Sequence, residues 1–255
     1  MTITITGSGT SQGVPVIGCE CYVCNSEDSK DKRLRSSIHI KYNNNSIVVD
    51  TGPDFRQQMI NSKIKKLDAV LFTHEHKDHV AGLDDVRAFN FIQKKPIEVY
   101  CSENVFKALK REFHYIFDPK FKYPGIPSIN RHKISKEKTF KINEVLITPI
   151  EVMHHKLPVL GFRIDNFAYI TDAKTIESKE KNKLKNLDIL IVNALRIKEH
   201  LSNLNLEEAL ELINELNPKR AILTHLSHLI GKHEEIKKLI PKNVDVAFDG
   251  MKFNL

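Results

Sequence analysis

The sequence places four side chains of metal-binding type within six residues: His74, His76, Asp78 and His79. Neutral imidazole and carboxylate groups are ligands that zinc, manganese and iron all accept. On an extended chain His74 and His76 point to the same side and can share one ion, while Asp78 and His79 then face a second ion. We interpret this segment as a metal site rather than as a solvated charged loop.

The elements on either side of these residues should hold them in place. Residues 67–73 form a short apolar run that is typical of a buried strand, and residues 80–92 carry apolar side chains at helical spacing. The predicted order is strand, metal loop and helix. All four side chains are expected on the connecting loop.

A second cluster of metal-binding type lies near the N-terminus. Cys19, Cys21 and Cys24 have the spacing Cys-x-Cys-x2-Cys, which can surround one tetrahedral zinc ion with a fourth ligand from elsewhere. Reduced structural thiols are the alternative. Cys101 ends an apolar run and is interpreted as a small buried side chain. Four cysteines with this clustering do not suit a disulfide-rich secreted fold.

Three further residues stand at the ends of apolar runs that are typical of strands: His154 after residues 145–152, Asp172 after residues 168–171, and His225 after residues 220–223. A histidine at such a position can complete the ligands of the first ion, and a carboxylate such as Asp172 can bridge two cations. His154 and His155 cannot both point the same way from an extended chain. Only one of them can therefore serve.

Two acids follow another predicted strand, residues 46–50, in the sequence Asp50-Thr51-Gly52-Pro53-Asp54. An acid at the end of a buried strand can orient a nearby histidine ligand. Both Asp50 and Asp54 are candidates for this supporting role. Capping of a predicted helix over residues 55–61 is the competing interpretation for Asp54.

Residues 113–133 are predicted to form the longest irregular loop, with three prolines and five Phe or Tyr residues interleaved with lysine. Such a loop could be a flap over the substrate, because aromatic rings stack on bases and lysines attract phosphate. A loop packed down by its own aromatic side chains is the alternative.

Composition indicates one folded domain over residues 1–255. The chain is 41% hydrophobic, which is enough for a sizeable core. It has no stretch long enough to cross a membrane and no export pattern at its start, so we expect a cytoplasmic protein without a membrane partner. The net charge of +7 comes from lysines spread along the whole sequence, which favours a solvated surface over one anion-binding patch.

The pattern His-x-His-x-Asp-His, followed by Val80-Ala81-Gly82, resembles the signature of the metallo-β-lactamase superfamily of binuclear hydrolases. The resemblance implies a four-layer αββα sandwich of the α/β (α+β) class, whereas periodicity alone indicates only a mixed α/β domain. It also implies His154 rather than His155, and it divides the ligands into two sets with Asp172 between them: His74, His76 and His154 on one ion, and Asp78, His79 and His225 on the other.

Four stretches resemble one subfamily, the phosphoribosyl 1,2-cyclic phosphate phosphodiesterases: Gly-Cys-Glu-Cys-x2-Cys, Asp-x-Gly-Pro-Asp, Pro-Val-Leu-Gly-Phe-Arg at residues 158–163, and Thr-His-x-Ser-His. This resemblance implies that His228 joins the three cysteines on a structural zinc ion. It also implies that His200 is the acid that protonates the leaving group.

The resemblances together imply a metal-dependent phosphodiesterase. Two divalent ions, zinc or manganese, would hold a hydroxide that attacks a small cyclic or nucleotide-like phosphodiester, with Asp78 and His200 as catalytic residues. The alternatives are a tRNA 3′-processing endonuclease, a relative of the pyrroloquinoline quinone biosynthesis protein, and a binding protein that holds metal without turnover. Nucleic acid is disfavoured as a partner because no extended basic, Gly-rich arm is present, and a homodimer is left open.

Overall fold

The structure, a computed structural model, describes residues 1–121 and 123–255. Its strands in chain order are β1 Thr2–Gly7, β2 Ser37–Tyr42, β3 Asn45–Val49, β4 Ala69–Leu71, β5 Ile97–Cys101, β6 Ile129–Lys133, β7 Phe140–Ile142, β8 Val145–His154, β9 Leu157–Ile164, β10 Phe167–Tyr169, β11 Ile189–Asn193, β12 Arg220–Thr224, β13 Val244–Val246 and β14 Lys252–Asn254. All but two correspond to strands or strand-like runs that the sequence pattern indicates or to segments beside them. The exceptions are β6, which lies in residues predicted to be an irregular loop, and the short β14, which was not expected.

The described strands form two seven-stranded sheets, in the orders β14-β1-β2-β3-β4-β5-β6 and β13-β12-β11-β10-β9-β8-β7. In the first sheet β3, β4 and β5 are parallel, with Leu71 opposite both Val49 and Tyr100. In the second sheet β10, β11 and β12 are parallel, with Asn193 opposite Thr224. The carboxyl ends of parallel strands meet at one edge of a sheet, where functional side chains typically gather. Asp50, His74 and His225 follow such ends.

Helices cover the outer face of each sheet: α1 Phe55–Asn61, α2 Lys77–Val80, α3 Arg87–Gln93, α4 Glu103–Glu112, α5 His114–Phe117, α6 Ser178–Lys181, α7 Leu206–Leu216 and α8 His233–Lys237. None of these described helices is both long and apolar enough to cross a membrane.

Three layers of buried side chains lie between four layers of structure. Ile38 of the first sheet and Phe162 of the second belong to the core between the sheets. Phe89 and Leu109 pack from α3 and α4 onto the first sheet, and Ile213 packs from α7 onto the second. The predicted αββα sandwich of the mixed α/β class is confirmed.

The helix predicted over residues 80–92 is broken in the structure. Helix α2 ends at Val80, a 3₁₀ turn covers Leu83–Val86, and α3 follows. The cause is Gly82, whose N–H donates to the Thr51 carbonyl at 2.8 Å and where a Cβ would lie only 2.2 Å from the Gly52 carbonyl oxygen. The chain turns here to pack against the loop after β3. Asp78 and His79 consequently lie in α2 rather than on the loop.

Residues 113–133 are also more ordered than expected, since α5, a 3₁₀ turn over Pro119–Phe121 and β6 occupy much of the segment. Phe117 stacks edge-on against Phe106 of α4, with 5.3 Å between ring centroids, and the Tyr115 hydroxyl donates to Asp84 at 2.6 Å. These contacts favour packing by the segment's own aromatic rings over a substrate flap. Lys122, a part of the expected flap, lies outside the described residues.

Two residues at helix starts, Asn205 and Asp54, differ in whether they cap the helix. Asn205 caps α7, because its side chain accepts from the Glu208 N–H at 2.8 Å. Asp54 stands at the start of α1 without capping it. Its carboxylate instead accepts from the Arg35 N–H at 2.8 Å and pairs with the Arg35 guanidinium at 3.0 Å. Asp54 therefore supports the chain before β2, and no described hydrogen bond joins it to a histidine.

Candidate active site

Asp50 ties the ends of two parallel strands together. Its carboxylate accepts from the backbone N–H of Thr73 at 2.9 Å and from the Thr73 hydroxyl at 2.8 Å. It also accepts from Nδ1 of His79 at 2.7 Å. The loop after β4 and the helix α2 are thus both anchored to the residue that follows β3, as the orienting role predicted for Asp50 requires.

The second sheet contributes His154, Asp172 and His225 to the same place. Asp172 lies between two histidines, with Oδ2 3.2 Å from Nε2 of His79 and Oδ1 3.2 Å from Nε2 of His225. The ring of His154 is 5.2 Å from that of His76 and 5.9 Å from that of His74, centroid to centroid. All seven residues of the predicted ligand set are therefore brought together where the two sheets meet.

Four of these histidines have one ring orientation in common, because Nδ1 donates a hydrogen bond to protein. The acceptors are Thr73 Oγ1 for His74 at 3.0 Å, Asp50 for His79 at 2.7 Å, the Ser202 carbonyl for His154 at 2.7 Å, and Ser36 Oγ for His225 at 3.0 Å. The two hydroxyl acceptors already donate elsewhere, Thr73 to Asp50 and Ser36 to the Gly9 carbonyl. In the neutral form of these imidazoles, each Nε2 therefore carries the lone pair and points to the centre of the cluster.

Two buried nitrogen atoms in the cluster, Nε2 of His74 and Nε2 of His79, make no hydrogen bond of acceptable geometry with a described residue. Carboxylate oxygens of Asp78 and Asp172 lie 3.1 and 3.2 Å from Nε2 of His79 without meeting that geometry. A buried polar atom without a hydrogen-bond partner is rare in native proteins and indicates that the atom binds something else, such as a metal ion. Burial, followed by the positive charge of His79, holds the pKa of His74 well below its usual value. A neutral His74 is the form that binds a metal.

The charges around His79 point the same way. Burial lowers the pKa of His79, but the carboxylates of Asp78, Asp50 and Asp172 outweigh it and raise that pKa well above the usual value. Several negative charges thus converge on one buried position that attracts a cation. Within each of two groups, the donor atoms all lie within 4.8 Å of one another. One group is His74, His79 and Asp172, and the other is Asp78, His79 and His225. The donor set fits divalent metal ions.

Three residues of the site also have left-handed backbone, which occurs elsewhere in the described chain mainly at turns. Asp50, Asp172 and His225 have positive φ angles of 64°, 56° and 57°. Left-handed backbone at residues other than glycine is sparsely populated, and it persists only where the surrounding structure determines it. All three residues follow strand ends and belong to the candidate site. No pattern in the sequence indicates this strain.

A polar cavity of about 370 Å³ opens beside the cluster. His76, Asp78, His154, Asp172 and His225 all line it. His76 is exposed at this cavity, whereas His74 and His79 are fully buried beneath it. The remaining lining includes side chains that sequence reasoning missed: Thr10, Ser11, Gln12, Arg196, Ser202 and Asn203. These residues come from loops whose polar composition alone does not distinguish them from ordinary surface loops.

His200 also lines this cavity, as its predicted role requires. Its Nδ1 accepts from the Ser202 N–H at 3.3 Å, a group that can only donate, so a neutral His200 carries its proton on Nε2. Burial, followed by the positive charge of Arg196, lowers the pKa of His200. His155, in contrast, is exposed and does not line the cavity, which agrees with the choice of His154.

The cysteine cluster is assembled as expected. The sulfur atoms of Cys19, Cys21 and Cys24 lie 3.3, 3.3 and 3.5 Å from Nδ1 of His228. Burial raises the pKa of Cys21, but hydrogen bonds from Cys24 and His228 outweigh it and lower that pKa to about 6. Burial raises the pKa of Cys24 to about 11. A negative charge on one sulfur thus disfavours a negative charge on the next. A bound cation such as zinc would offset this repulsion between thiolates.

Arg33 joins the two clusters and was not singled out from sequence. Its guanidinium donates to the carbonyls of Ser227 and Gly231 at 3.0 and 2.9 Å and pairs with Asp31 at 3.2 Å. Both charged side chains are buried, with 0% and 1% exposure. Ser227 lies between His225 of the active-site cluster and His228 of the cysteine cluster. Arg33 therefore holds the loop that serves both.

Replacing Arg33 with alanine is expected to lower the free energy of unfolding by about 3–5 kcal/mol, because it leaves the carboxylate of Asp31 buried without its partner. Urea denaturation followed by circular dichroism measures the change. Lys30→Ala is the matched control, since Lys30 pairs with Glu234 on the surface at 3.2 Å and an exposed pair contributes about 1 kcal/mol or less. Equal losses in the two variants would contradict the role assigned to Arg33.

The fold and the converging histidine and aspartate side chains define a hydrolase of the metallo-β-lactamase type. Residues 45–226 match the family model described as a β-lactamase superfamily domain. A solved structure of a diphosphatase from the PhnP family superposes with a TM-score of 0.92 and 36% identity, covering 99% of this chain and 96% of that one. The chain belongs to the metallo-β-lactamase superfamily and, within it, to the PhnP family.

Two further similarities are less specific. A Porphyromonas gingivalis protein named octanoyltransferase is 39% identical over 253 residues, which are 98% of this chain. The chain spans about half of that relative, 51% of its length, so the name describes a protein much longer than the match. The zinc-bound PqqB of Methylobacterium extorquens has a TM-score of 0.83 at 18% identity, with 100% of both chains covered, and this likeness shows the fold alone.

Proposed function

We propose that this protein is a metal-dependent phosphodiesterase that acts on a small substrate. The observation that carries the proposal is the cluster of seven His and Asp side chains beside a polar cavity of about 370 Å³. A cavity of this size suits a nucleotide-sized ligand rather than a folded polymer. Membership of a hydrolase superfamily and similarity to a diphosphatase support chemistry at phosphorus.

We assign the metal ligands in two sets. His74, His76 and His154 would hold one divalent ion, Asp78, His79 and His225 a second, and Asp172 would contact both. Zinc or manganese would suit these nitrogen and oxygen donors. When bound, such ions activate a water molecule as nucleophile and offset negative charge on a phosphoryl group. Cys19, Cys21, Cys24 and His228 would hold one further zinc ion with a structural role.

The chain itself supplies the orientation of these ligands. Thr73, Asp50, Ser36 and the Ser202 carbonyl each accept from an Nδ1 and thereby turn Nε2 of the four histidines to the centre of the cluster. Such supporting contacts are typical of metal-binding histidines and fix the tautomer. Arg196 lines the cavity and offers a positive charge to the phosphate of a substrate.

His200 is the proposed general acid. Its Nε2–H faces no described acceptor, while its Nδ1 is held by Ser202. A proton at Nε2 can be given to the oxygen of the leaving group as the P–O bond breaks. This step matters most when the leaving alkoxide is a poor one, because a good leaving group departs without a proton.

Replacing His200 with alanine is expected to slow hydrolysis of a phosphodiester with an alkyl leaving group about 10²–10⁴-fold, the usual contribution of a positioned acid. Hydrolysis of bis(p-nitrophenyl) phosphate should change far less, since nitrophenolate needs no proton. Steady-state kcat on the two substrates measures the difference. His155→Ala is the control, because that exposed histidine is outside the cavity. An equal loss on both substrates would refute the acid role and leave the metal site standing.

A diphosphate linkage is the second candidate substrate, and the similarity to a PhnP-family diphosphatase favours it. Both candidates need attack at a phosphorus atom carrying an esterified oxygen. A substrate panel of bis(p-nitrophenyl) phosphate, a five-membered cyclic phosphodiester and a dinucleoside diphosphate separates them. The panel is run with zinc and with manganese on protein whose metal content has been measured. Full metal content without hydrolysis of any member would instead favour a binding protein.

A further inference from the structure

A second cavity, of about 580 Å³, lies on the outer face of the first sheet. Strands β14, β1, β2 and β3 form its floor, and the loop from the end of α1 to the start of β4 forms one wall. Thr4 pairs with both His39 and Lys252 across the floor, whereas the alternating Ile3 and Ile5 point into the core between the sheets. The groove is thus built on the polar side of these strands.

Lysine dominates the lining of this groove. None of its described lining residues is acidic. Five lysines line it: Lys41, Lys63, Lys65, Lys66 and Lys252. We call this cavity the lysine groove. Lys66 pairs with Asp68 at 2.9 Å. The other four lysines form no ion pair with a described residue. Four positive charges are therefore left to attract an anion from solution.

The pKa of the buried His39 is lowered by its burial and in part by the positive charge of these lysines. Burial, followed by the charges of Lys252 and Lys41, lowers its pKa to about 4. Its Nε2 donates to the Ser46 hydroxyl at 2.8 Å, since that hydroxyl itself donates to the Lys66 carbonyl. The imidazole is neutral at physiological pH. It packs the floor of the groove, and the lysines supply the charge.

The groove is separate from the proposed active site. Asn45 and Lys66 lie at the starting ends of β3 and β4, whereas Asp50 and His74 follow their far ends. A five-residue strand such as β3 spans about 16 Å. The two cavities also have no lining residue in common. An anion in the lysine groove would therefore be a second ligand rather than part of the substrate held at the metal ligands.

The lining favours a phosphate chain over a nucleic-acid strand. No Phe, Tyr or Trp is among the described lining residues. Proteins that bind single strands combine positive charge with aromatic rings on which bases stack. Four unpaired lysines, together with hydroxyl and amide groups such as those of Ser62 and Asn44, match several closely spaced phosphate oxygens. We propose that the lysine groove binds a di- or triphosphate group, either inorganic or carried by a nucleotide.

Lysine acylation read by mass spectrometry tests this proposal at single residues on the metal-loaded protein. Tripolyphosphate and ATP are the two probes, each at low and at high salt. We expect either probe to slow acylation of Lys41, Lys63 and Lys252 about tenfold near saturation, and to leave the exposed Lys107 and Lys237 unchanged. High salt should weaken the protection, because ions screen exposed charges. Equal protection by ATP and by tripolyphosphate means that the phosphate chain suffices for binding. Protection by ATP alone means that the nucleoside contributes to binding.

A triple variant, Lys41→Ala, Lys63→Ala and Lys252→Ala, supplies the second measurement. The probe concentration that halves the acylation rate of Lys65 reports binding in the groove alone, so binding at the metal site does not contribute. Loss of three exposed charge contacts should raise this concentration about tenfold or more. The control Lys107→Ala, Lys110→Ala and Lys237→Ala removes the same charge elsewhere and should raise it less than about twofold.

Three outcomes would overturn the proposal: no protection of the groove lysines, equal effects of the two triple variants, or protection by a single-stranded oligonucleotide but by neither phosphate probe. Hydrolysis of bis(p-nitrophenyl) phosphate by the groove variant is followed in parallel. It should be unchanged, because none of the three lysines lines the active-site cavity. Failure of the proposed phosphodiesterase activity would appear in that assay, whereas failure of the anion site would appear in the acylation pattern.

Discussion

Replacing Asp78 with alanine is expected to abolish phosphodiester hydrolysis, with kcat/KM falling about a thousandfold or more. Asp78 is buried, lines the cavity, and has its carboxylate 3.1 Å from Nε2 of His79. Burial raises the pKa of Asp78, but the neighbouring His79 outweighs it and lowers that pKa, so the side chain is a carboxylate. Bound ions supply several kcal/mol of transition-state stabilisation, and each 1.4 kcal/mol is about tenfold in rate.

The measurement is steady-state hydrolysis of bis(p-nitrophenyl) phosphate in zinc and in manganese, together with the metal content of the purified variant. We expect the metal content to fall with the activity. Asp85→Ala is the matched control, since this acid lies in the same part of the chain, in the 3₁₀ turn after α2, and does not line the cavity. Activity that survives in Asp78→Ala would refute the ligand assignment.

Replacing Cys21 with alanine is expected to remove one zinc ion and to lower the melting temperature by about 10 °C. The cysteine cluster joins the N-terminal loop to His228, 207 residues further along the chain. A structural zinc ion contributes its binding free energy to folding, so removing a ligand destabilises the fold by several kcal/mol. In a domain of this size about 1 kcal/mol corresponds to 2–4 °C.

Elemental analysis and thermal unfolding of the purified variant measure these two effects. Cys101→Ala is the control, because Cys101 is fully buried in the apolar core beside the first sheet and is not part of the cluster. Its zinc content should equal that of the wild-type protein. Unchanged zinc in Cys21→Ala would mean that the cluster is a set of reduced structural thiols. Hydrolysis should also fall in Cys21→Ala, since His225 and His228 lie on one loop.

The sequence by itself determined the parts of the two clusters that are close along the chain. His74, His76, Asp78 and His79, like Cys19, Cys21 and Cys24, are held within reach of one another by covalent spacing. Alternation along strands is also a local property, and for that reason His154, Asp172 and His225 could be recognised at strand ends. Their convergence followed from resemblance to a superfamily, and the paired sheets of the structure place them together.

Only the tertiary structure decided what lies around these residues. Ser36 accepts from His225 across 189 residues of chain, and Arg33 reaches Ser227 across 194. No local pattern encodes such contacts, because they exist only after distant strands have paired. The prediction of one helix over residues 80–92 was wrong for the same reason, since helical spacing does not reveal that Gly82 must pack against Gly52.

The lysine groove shows this division most clearly. In sequence the lysines are spread evenly, which favours a solvated surface, and the expectation of no concentrated patch followed from that. In the structure, strand pairing brings Lys252 beside Thr4 and Lys41 beside Thr2, while the loop before β4 adds Lys63 and Lys65. Charge density is a property of three-dimensional distance, because Coulomb interactions depend on separation in space and not along the chain.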